Sequence, residues 1–191
     1  MTRYETFYDS PLGEMLLVAN GDALTGVYFS HQKYFPQDGD VRRDGDDIAV
    51  LNDTKRQLDE YFHEGRRTFA LPLAPEGTPF QQSVWAELRR IPFGETRSYG
   101  ELAYALGDAN KSRAVGAANG RNPITIIVPC HRVIGADGTL TGYASGVERK
   151  LALLSLEGAA LAPVTGTGSG PRIGATRRTR LSAPANLAFD F

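Results

Sequence analysis

At 191 residues, with 41% hydrophobic residues, the chain can make one domain or two small ones around a packed core. Its single cysteine excludes an internal disulfide and a cysteine-rich zinc site, and a free thiol fits a reducing compartment. The net charge of −1 hides an asymmetry: residues 38–60 carry eight acids, whereas Arg89 to Arg180 hold thirteen Lys or Arg against six Asp or Glu, which fits a polyanionic partner or an ordinary solvated surface.

The opening residues MTRYETFYDS lack an apolar signal core, and no apolar run is long enough to span a bilayer. The expectation is a cytoplasmic protein with no membrane partner. Arg3–Tyr8, Glu14–Ala19 and Ala23–Phe29 read as strands, being rich in β-branched, aromatic and aliphatic residues. Asp9 to Gly13 and Asn20-Gly21-Asp22 are the turns between them. Ser30–Gly45 reads as a loop. Ile48–Phe62 reads as a helix from the spacing of Ile48, Leu51, Leu58 and Phe62. Thr68–Leu73 is a candidate short strand, and Leu71–Pro79 a linker.

A clear helix start follows, with Thr78 as N-cap, Pro79 at the first helical position and Gln81 completing a capping box. Phe80, Val84, Leu88 and Ile91 form its apolar stripe. A second box, Ser98-Tyr99-Gly100-Glu101, opens a helix carrying Tyr99, Leu102, Ala103 and Leu106, which Gly107 stops. Asn110 is the expected cap of a third helix, Lys111–Asn119, ended by Gly120. Two short helices so tightly joined read as a helix-turn-helix or as a generic helical hairpin. The third helix is almost without bulk at Ala114, Gly116, Ala117 and Ala118, so its backbone can approach either a neighbouring helix or a nucleic-acid groove. Ile124–Val128 reads as a buried strand, Gly135–Gly142 as a glycine-rich loop, and Gly146–Glu157 as a helix with Val147, Leu151 and Leu154 on one face. Beyond Ala162 the chain turns to Pro, Gly, Ser, Thr and Arg, a composition with little to bury.

The sole thiol, Cys130, ends the apolar run between Pro129 and His131. Pro129 fixes its own φ and holds Val128 extended. A buried structural cysteine is one reading. A nucleophile is the other, because a nearby imidazole can take the thiol proton and positive charge favours the thiolate. On a strand, His131 would point to the opposite face from Cys130 and need not touch the sulfur, and a water could bridge them.

Asn122-Pro123 followed by the apolar run and Pro129-Cys130-His131-Arg132-Val133 resembles the active-site signature of the O6-alkylguanine-DNA alkyltransferase (methylated-DNA–protein-cysteine methyltransferase) family. Phe80 to Trp85, Ile91 to Thr96, Ser98-Tyr99-Gly100, Arg113 to Gly116, Thr141-Gly142-Tyr143 and the Leu-rich helix ending at Glu157-Gly158 stand in the family's order. The resemblance is strong over residues 79–158 and weaker before them. It implies an α+β chain: a ribonuclease-H-like α/β domain over residues 1–74, then a mostly helical, winged-helix-like domain with a helix-turn-helix over 75–161. Residues 162–191 are expected to be a flexible tail.

The resemblance also implies roles. Cys130 takes the alkyl group from guanine O6 in a single-turnover reaction, with O4-alkylthymine a further substrate. His131 accepts the thiol proton through a water, Glu157 holds the far imidazole nitrogen, and Asn122 organises the turn. Tyr99 donates toward guanine N3, while Tyr143 and Val133 line the alkylguanine pocket. Arg113 fills the gap left by a flipped-out base, and Lys111, Ser112, Ala114, Gly116 and Ala117 meet the minor groove of double-stranded DNA largely without regard to sequence. A monomer that can cluster on DNA is implied, and no cofactor. Mammalian members bind zinc through N-terminal cysteines and histidines. Here that part has no cysteine and only His31 and His63, so no metal is expected. A thiol hydrolase and a DNA-binding protein without chemistry are the competing readings. The first would turn over, and the second would not need Cys130.

Overall fold

The computed structural model describes residues 2–36, 42–159, 161–162 and 172–173. Three N-terminal strands form a meander, β1 (Arg3–Ser10), β2 (Gly13–Asn20) and β3 (Ala23–Phe29). A fourth, β4 (Arg42–Asp44), pairs in parallel with β1 and gives the order β3-β2-β1-β4. This strand falls within the stretch expected to be loop. Arg-Arg-Asp has no strand-like composition, and it is held by pairing with β1 rather than by propensity. Met15 to Ala19 of β2 are all buried, as a central strand covered on both faces requires.

Helix α1 (Ala49–His63) packs on the sheet through Leu51, Thr54, Leu58 and Tyr61, a stripe at helical spacing. The candidate strand Thr68–Leu73 is not one. Only Leu73 makes a bridge, to Leu24, where Leu24 N–H donates to the Pro72 carbonyl. The sheet's β3 edge is thus covered by passing chain rather than extended by a further strand.

The C-terminal region starts at α2 (Pro79–Leu88), and both bonds of the Thr78–Gln81 capping box are made. Strand β5 (Arg97–Ser98) leads into α3 (Tyr99–Ala105), again through a complete capping box, Ser98–Glu101. The connection to α4 (Ser112–Gly120) is a 3-10 turn, Ala109–Lys111, capped by Asp108. Asn110 is therefore not the cap. Its N–H is the group that the Asp108 side chain accepts from. Strand β6 (Val133–Ile134) pairs in parallel with β5, and α5 (Val147–Leu156) closes the region. Leu161–Ala162 and Arg172–Ile173 form a two-residue antiparallel pair, and the rest of the expected tail lies outside the described residues. Among the described residues no helix is long and apolar enough to cross a membrane. One apolar cluster runs without a break from Met15, Leu17 and Phe29 of the sheet to Val128, Cys130 and Leu153.

Candidate active site

The thiol sits in an irregular segment hung on the edge of β3. Val27 N–H donates to the Pro123 carbonyl, and Thr125 N–H donates back to the Val27 carbonyl. There the pairing stops, so the expected strand Ile124–Val128 reduces to one bridge followed by turns. The apolar residues are buried as the pattern demands, but their backbone bonds are local: Ile127 N–H to Thr125 O, Val128 N–H to Ile124 O and Cys130 N–H to Val128 O. Ile126 lies at φ +69°, a costly conformation for a β-branched residue that persists only where the surroundings over-determine it. Asn122 supplies part of that constraint. Its Oδ1 accepts from Ile124 N–H at 3.0 Å and its Nδ2 donates to the Val128 carbonyl at 2.7 Å, tying the two ends of the turn together.

Past Pro129 the chain winds into a 3-10 turn, Cys130–Arg132. Successive side chains there diverge by about a third of a turn rather than alternating between faces. Cys130 is 5% exposed, with the Thr125 hydroxyl 3.9 Å from its sulfur. Burial raises the thiol's pKa, against the opposing pulls of Asn122, Thr125 and the Lys150 charge, so the resting sulfur is protonated.

His131 is fully buried, and burial lowers its pKa against the pull of Glu157. The resting imidazole is neutral. Its Nε2 lies 2.8 Å from Glu157 Oε1. A carboxylate can only accept, so Nε2 carries the proton and the lone pair is on Nδ1, a buried nitrogen with no protein partner. Thiol and imidazole are therefore both uncharged at rest, with the imidazole's accepting nitrogen unengaged by protein.

Glu157, at the C-terminal end of α5, is the most heavily bonded group of the site. Oε1 accepts from Tyr61 Oη at 2.8 Å, His131 Nε2 at 2.8 Å and Arg132 Nη2 at 2.9 Å. Oε2 accepts from Arg132 Nε at 2.8 Å and Gly94 N–H at 3.1 Å. Burial alone would favour the neutral acid, but His131 and Arg132 outweigh it and hold the carboxyl far below its usual range. Gly94 lies at φ +77°, and a Cβ there would come within 2.7 Å of the Glu157 backbone oxygen, so only glycine brings this N–H into place.

Tyr143 Oη lies 2.9 Å from Thr125 Oγ1, beside the sulfur. Tyr99, at the start of α3, donates to the Thr141 carbonyl at 3.2 Å, and burial followed by the nearby Cys130 pushes its pKa up to about 12. Val133 is buried at the start of β6. The fold thus gathers buried Cys130, His131, Glu157 and Asn122 with half-buried Tyr143 into one cluster, with Tyr99 joined through the 141–143 loop. The expected DNA-facing residues stand apart. On α4, Val115 and Ala118 are buried while Arg113, Ala114 and Ala117 are exposed, with Ser112 and Gly116 half-buried beside them. Lys111, at the end of the preceding 3-10 turn, is exposed and pairs with Asp108 at 3.5 Å.

Tyr61, Gly94, Thr125 and Lys150 were not anticipated as site residues. Lys150 is fully buried on the inner face of α5 and donates to the Thr141 carbonyl at 2.9 Å. A lysine three residues after Val147 and four before Leu154, inside the predicted apolar face, was its signal.

A buried thiol, a neutral imidazole and an anchored carboxylate thus lie together in the region that also carries the paired short helices α3 and α4. Family models match both halves of the chain. The ribonuclease-like domain of 6-O-methylguanine DNA methyltransferase matches residues 3–75, and the DNA-binding domain of the same family matches residues 79–159. The methylated-DNA–protein-cysteine methyltransferase of Methanosarcina acetivorans is 49% identical over 155 residues, covering 81% of this chain and 98% of that protein. The constitutive enzyme of Bacillus subtilis is 46% identical over 156 residues, 81% of this chain and 94% of its own. The crystal structure of a Mycobacterium tuberculosis relative in complex with DNA superposes with a TM-score of 0.74 at 47% identity, covering 81% of this chain and 93% of that one. The chain belongs to the methylated-DNA–protein-cysteine methyltransferase family.

Proposed function

We propose that this chain repairs DNA directly, moving an alkyl group from O6 of guanine, and from O4 of thymine, onto Cys130 in a single irreversible step. The observation that carries this reading is the Cys130 thiol beside a neutral, fully buried imidazole whose far nitrogen is anchored by Glu157. In the transfer, the sulfur's proton passes through a water to His131 Nδ1 as the C–S bond forms and the C–O6 bond breaks. The electron pair of the broken bond goes to the base, which takes a proton from Tyr99 and leaves neutral. Tyr99 suits that role because, at a pKa of about 12, it is fully protonated at neutral pH. The proton lost by sulfur balances the one gained by guanine once Tyr99 is reprotonated. The chain supplies nucleophile, base and acid, so the reaction calls for no cofactor.

The target atom lies inside a stacked duplex, so the nucleotide must be flipped out, costing a few kcal/mol. Arg113 opens the exposed face of α4 and fills the gap, while Ala114, Gly116 and Ala117 let the helix lie close in the minor groove. Lys111 and Ser112 meet the backbone, so binding is largely independent of sequence. The short β5–β6 pair beside α3 and α4 supports a winged-helix-like description. The protein acts as a cytoplasmic monomer. A thiol hydrolase is the weaker reading, because such enzymes usually take their histidine from a distant segment, whereas His131 directly follows Cys130 here.

Intact-protein mass tests this. One equivalent of duplex bearing O6-methylguanine should add the mass of one CH2 (a methyl replacing the thiol hydrogen), on the peptide containing Cys130, and the reaction should then stop. Cys130→Ser should bind the duplex and accept nothing. Continued turnover, or transfer by the serine variant at the wild-type rate, would refute the reading.

A further inference from the structure

We infer that Tyr61, on α1 of the N-terminal region, is a positioning residue of the proton relay. It holds Glu157 from the other half of the molecule and shares with His131 the oxygen that anchors the imidazole. The inference rests on the role proposed above for His131, and it gives the N-terminal region a part in the chemistry.

The geometry is direct. Tyr61 is 2% exposed and its hydroxyl donates to Glu157 Oε1 at 2.8 Å, across 96 positions of sequence. That same oxygen takes His131 Nε2 and Arg132 Nη2. A carboxylate oxygen offers two lone pairs, so three donors compete for it. The groups facing the imidazole with charge are Glu157, Arg132 and Lys150. Arg132 cancels much of the carboxylate's charge, and Tyr61 takes up part of its remaining accepting capacity. Glu157 therefore orients His131 without making the imidazole so basic that it rests protonated. Tyr61 is itself locked by rings. Phe62, Phe69 and Phe93 lie 5.2, 5.6 and 6.1 Å from its centroid, and Phe93 also stacks under Arg132 at 5.8 Å. The aromatic packing is thus retained in Tyr61→Phe, and only the donated bond is lost.

Tyr8 provides the control. It is another buried N-terminal tyrosine whose hydroxyl bonds a carboxylate, Asp59 Oδ1 at 2.7 Å, away from the site. With only three histidines in the chain, the His131 ring can be followed by NMR in full-length, histidine-labelled protein. In Tyr61→Phe, Oε1 is left to His131 and Arg132. The His131 Nε2–H resonance should move downfield. The acid limb of the single-turnover rate–pH profile should rise by about half a pH unit, as expected when a competing donor to the base's anchor is removed. Tyr8→Phe should leave both unchanged. An unmoved His131 resonance in Tyr61→Phe, or an equal shift in Tyr8→Phe, would overturn the inference. The resonance is read without any substrate, so it judges Tyr61 even if the wild-type protein transfers no alkyl group, a result that would instead refute the proposed function.

Discussion

Glu157 and the outer face of α4 are held in opposite ways. The carboxylate takes five donated bonds, from α1, the Gly94 loop and the turn that carries Cys130. The α4 face presents exposed Arg113, Ala114 and Ala117, and no side chain caps the helix start. The proton relay proposed for His131 and Glu157 would work only over a narrow range of distances, and fixing its parts from several directions fits that need. The α4 face, if it is the proposed DNA-contacting surface, needs close approach and one well-placed cation, and dense bonding to the protein would only hold that cation back. Mutations in the first region should therefore cost stability and chemistry together. Those in the second should cost only the reaction with duplex.

The largest effect is expected at Glu157. Glu157→Gln keeps the shape but removes the charge opposite Arg132, and its amide turns donors toward donors. Breaking a buried ion pair on one side costs about 3–5 kcal/mol. Loss of the imidazole's anchor should slow single-turnover transfer about a hundredfold or more. Urea melts and quenched-reaction kinetics measure the two losses. Stability should also fall in acid. The folded pKa of Glu157 is depressed, so its contribution is complete above the ordinary carboxylate range near pH 4 and drains away as the pH falls below it. A Gln variant that loses stability but keeps its rate would reduce Glu157 to a structural clamp.

The second effect isolates the other region. Arg113 is exposed, so Arg113→Ala should melt like the wild type. Its rate on methylated duplex should fall roughly tenfold to a hundredfold, because the flipped state loses its support. Its reaction with free O6-benzylguanine, which needs no flipping, should be unchanged. Equal losses on both substrates would mean that α4 and the buried cluster are not separable.

The same contrast explains how much could be read before the structure was known. Both capping boxes, Thr78–Gln81 and Ser98–Glu101, were legible because their bonds join residues three apart. The hairpin strands β1 to β3 were legible because their composition and the turn residues between them announce them locally. Strand β4 was not, since Arg42–Asp44 pairs with β1 across nearly forty residues and nothing in its composition announces it. The run Ile124–Val128 revealed its burial but not its turns, because apolar character reports where side chains go and not how the backbone bonds. Family resemblance named Cys130, His131 and Glu157, and the fold brings His131 and Glu157 into contact. Tyr61 and Gly94 lay beyond local reasoning because they lie 96 and 63 positions from the carboxylate they hold.

Lys150 tests the comparison from within, since it is buried like Glu157 yet donates a single identified bond, to the Thr141 carbonyl. Burial lowers its pKa to about 8 from 10.5, while the Cys130 sulfur, when charged, pulls the other way. Below pH 8 the lysine is charged in both the folded and the unfolded chain, and the fold carries the full cost of desolvating it. Between pH 8 and 10.5 the unfolded chain holds more protons, so stability rises with pH across that window. Lys150→Met should therefore stabilise the protein by about 1–3 kcal/mol at pH 7, with the gain shrinking through the window. The Thr141 carbonyl keeps its bond from Tyr99, so the exchange leaves no orphaned acceptor. Transfer should nevertheless slow by roughly tenfold, because the cation that favours the Cys130 thiolate is gone. A variant that is both more stable and slower would mark Lys150 as a charge kept for the reaction at the expense of the fold. One that is less stable would place it with Glu157 among the groups on which the packing itself depends.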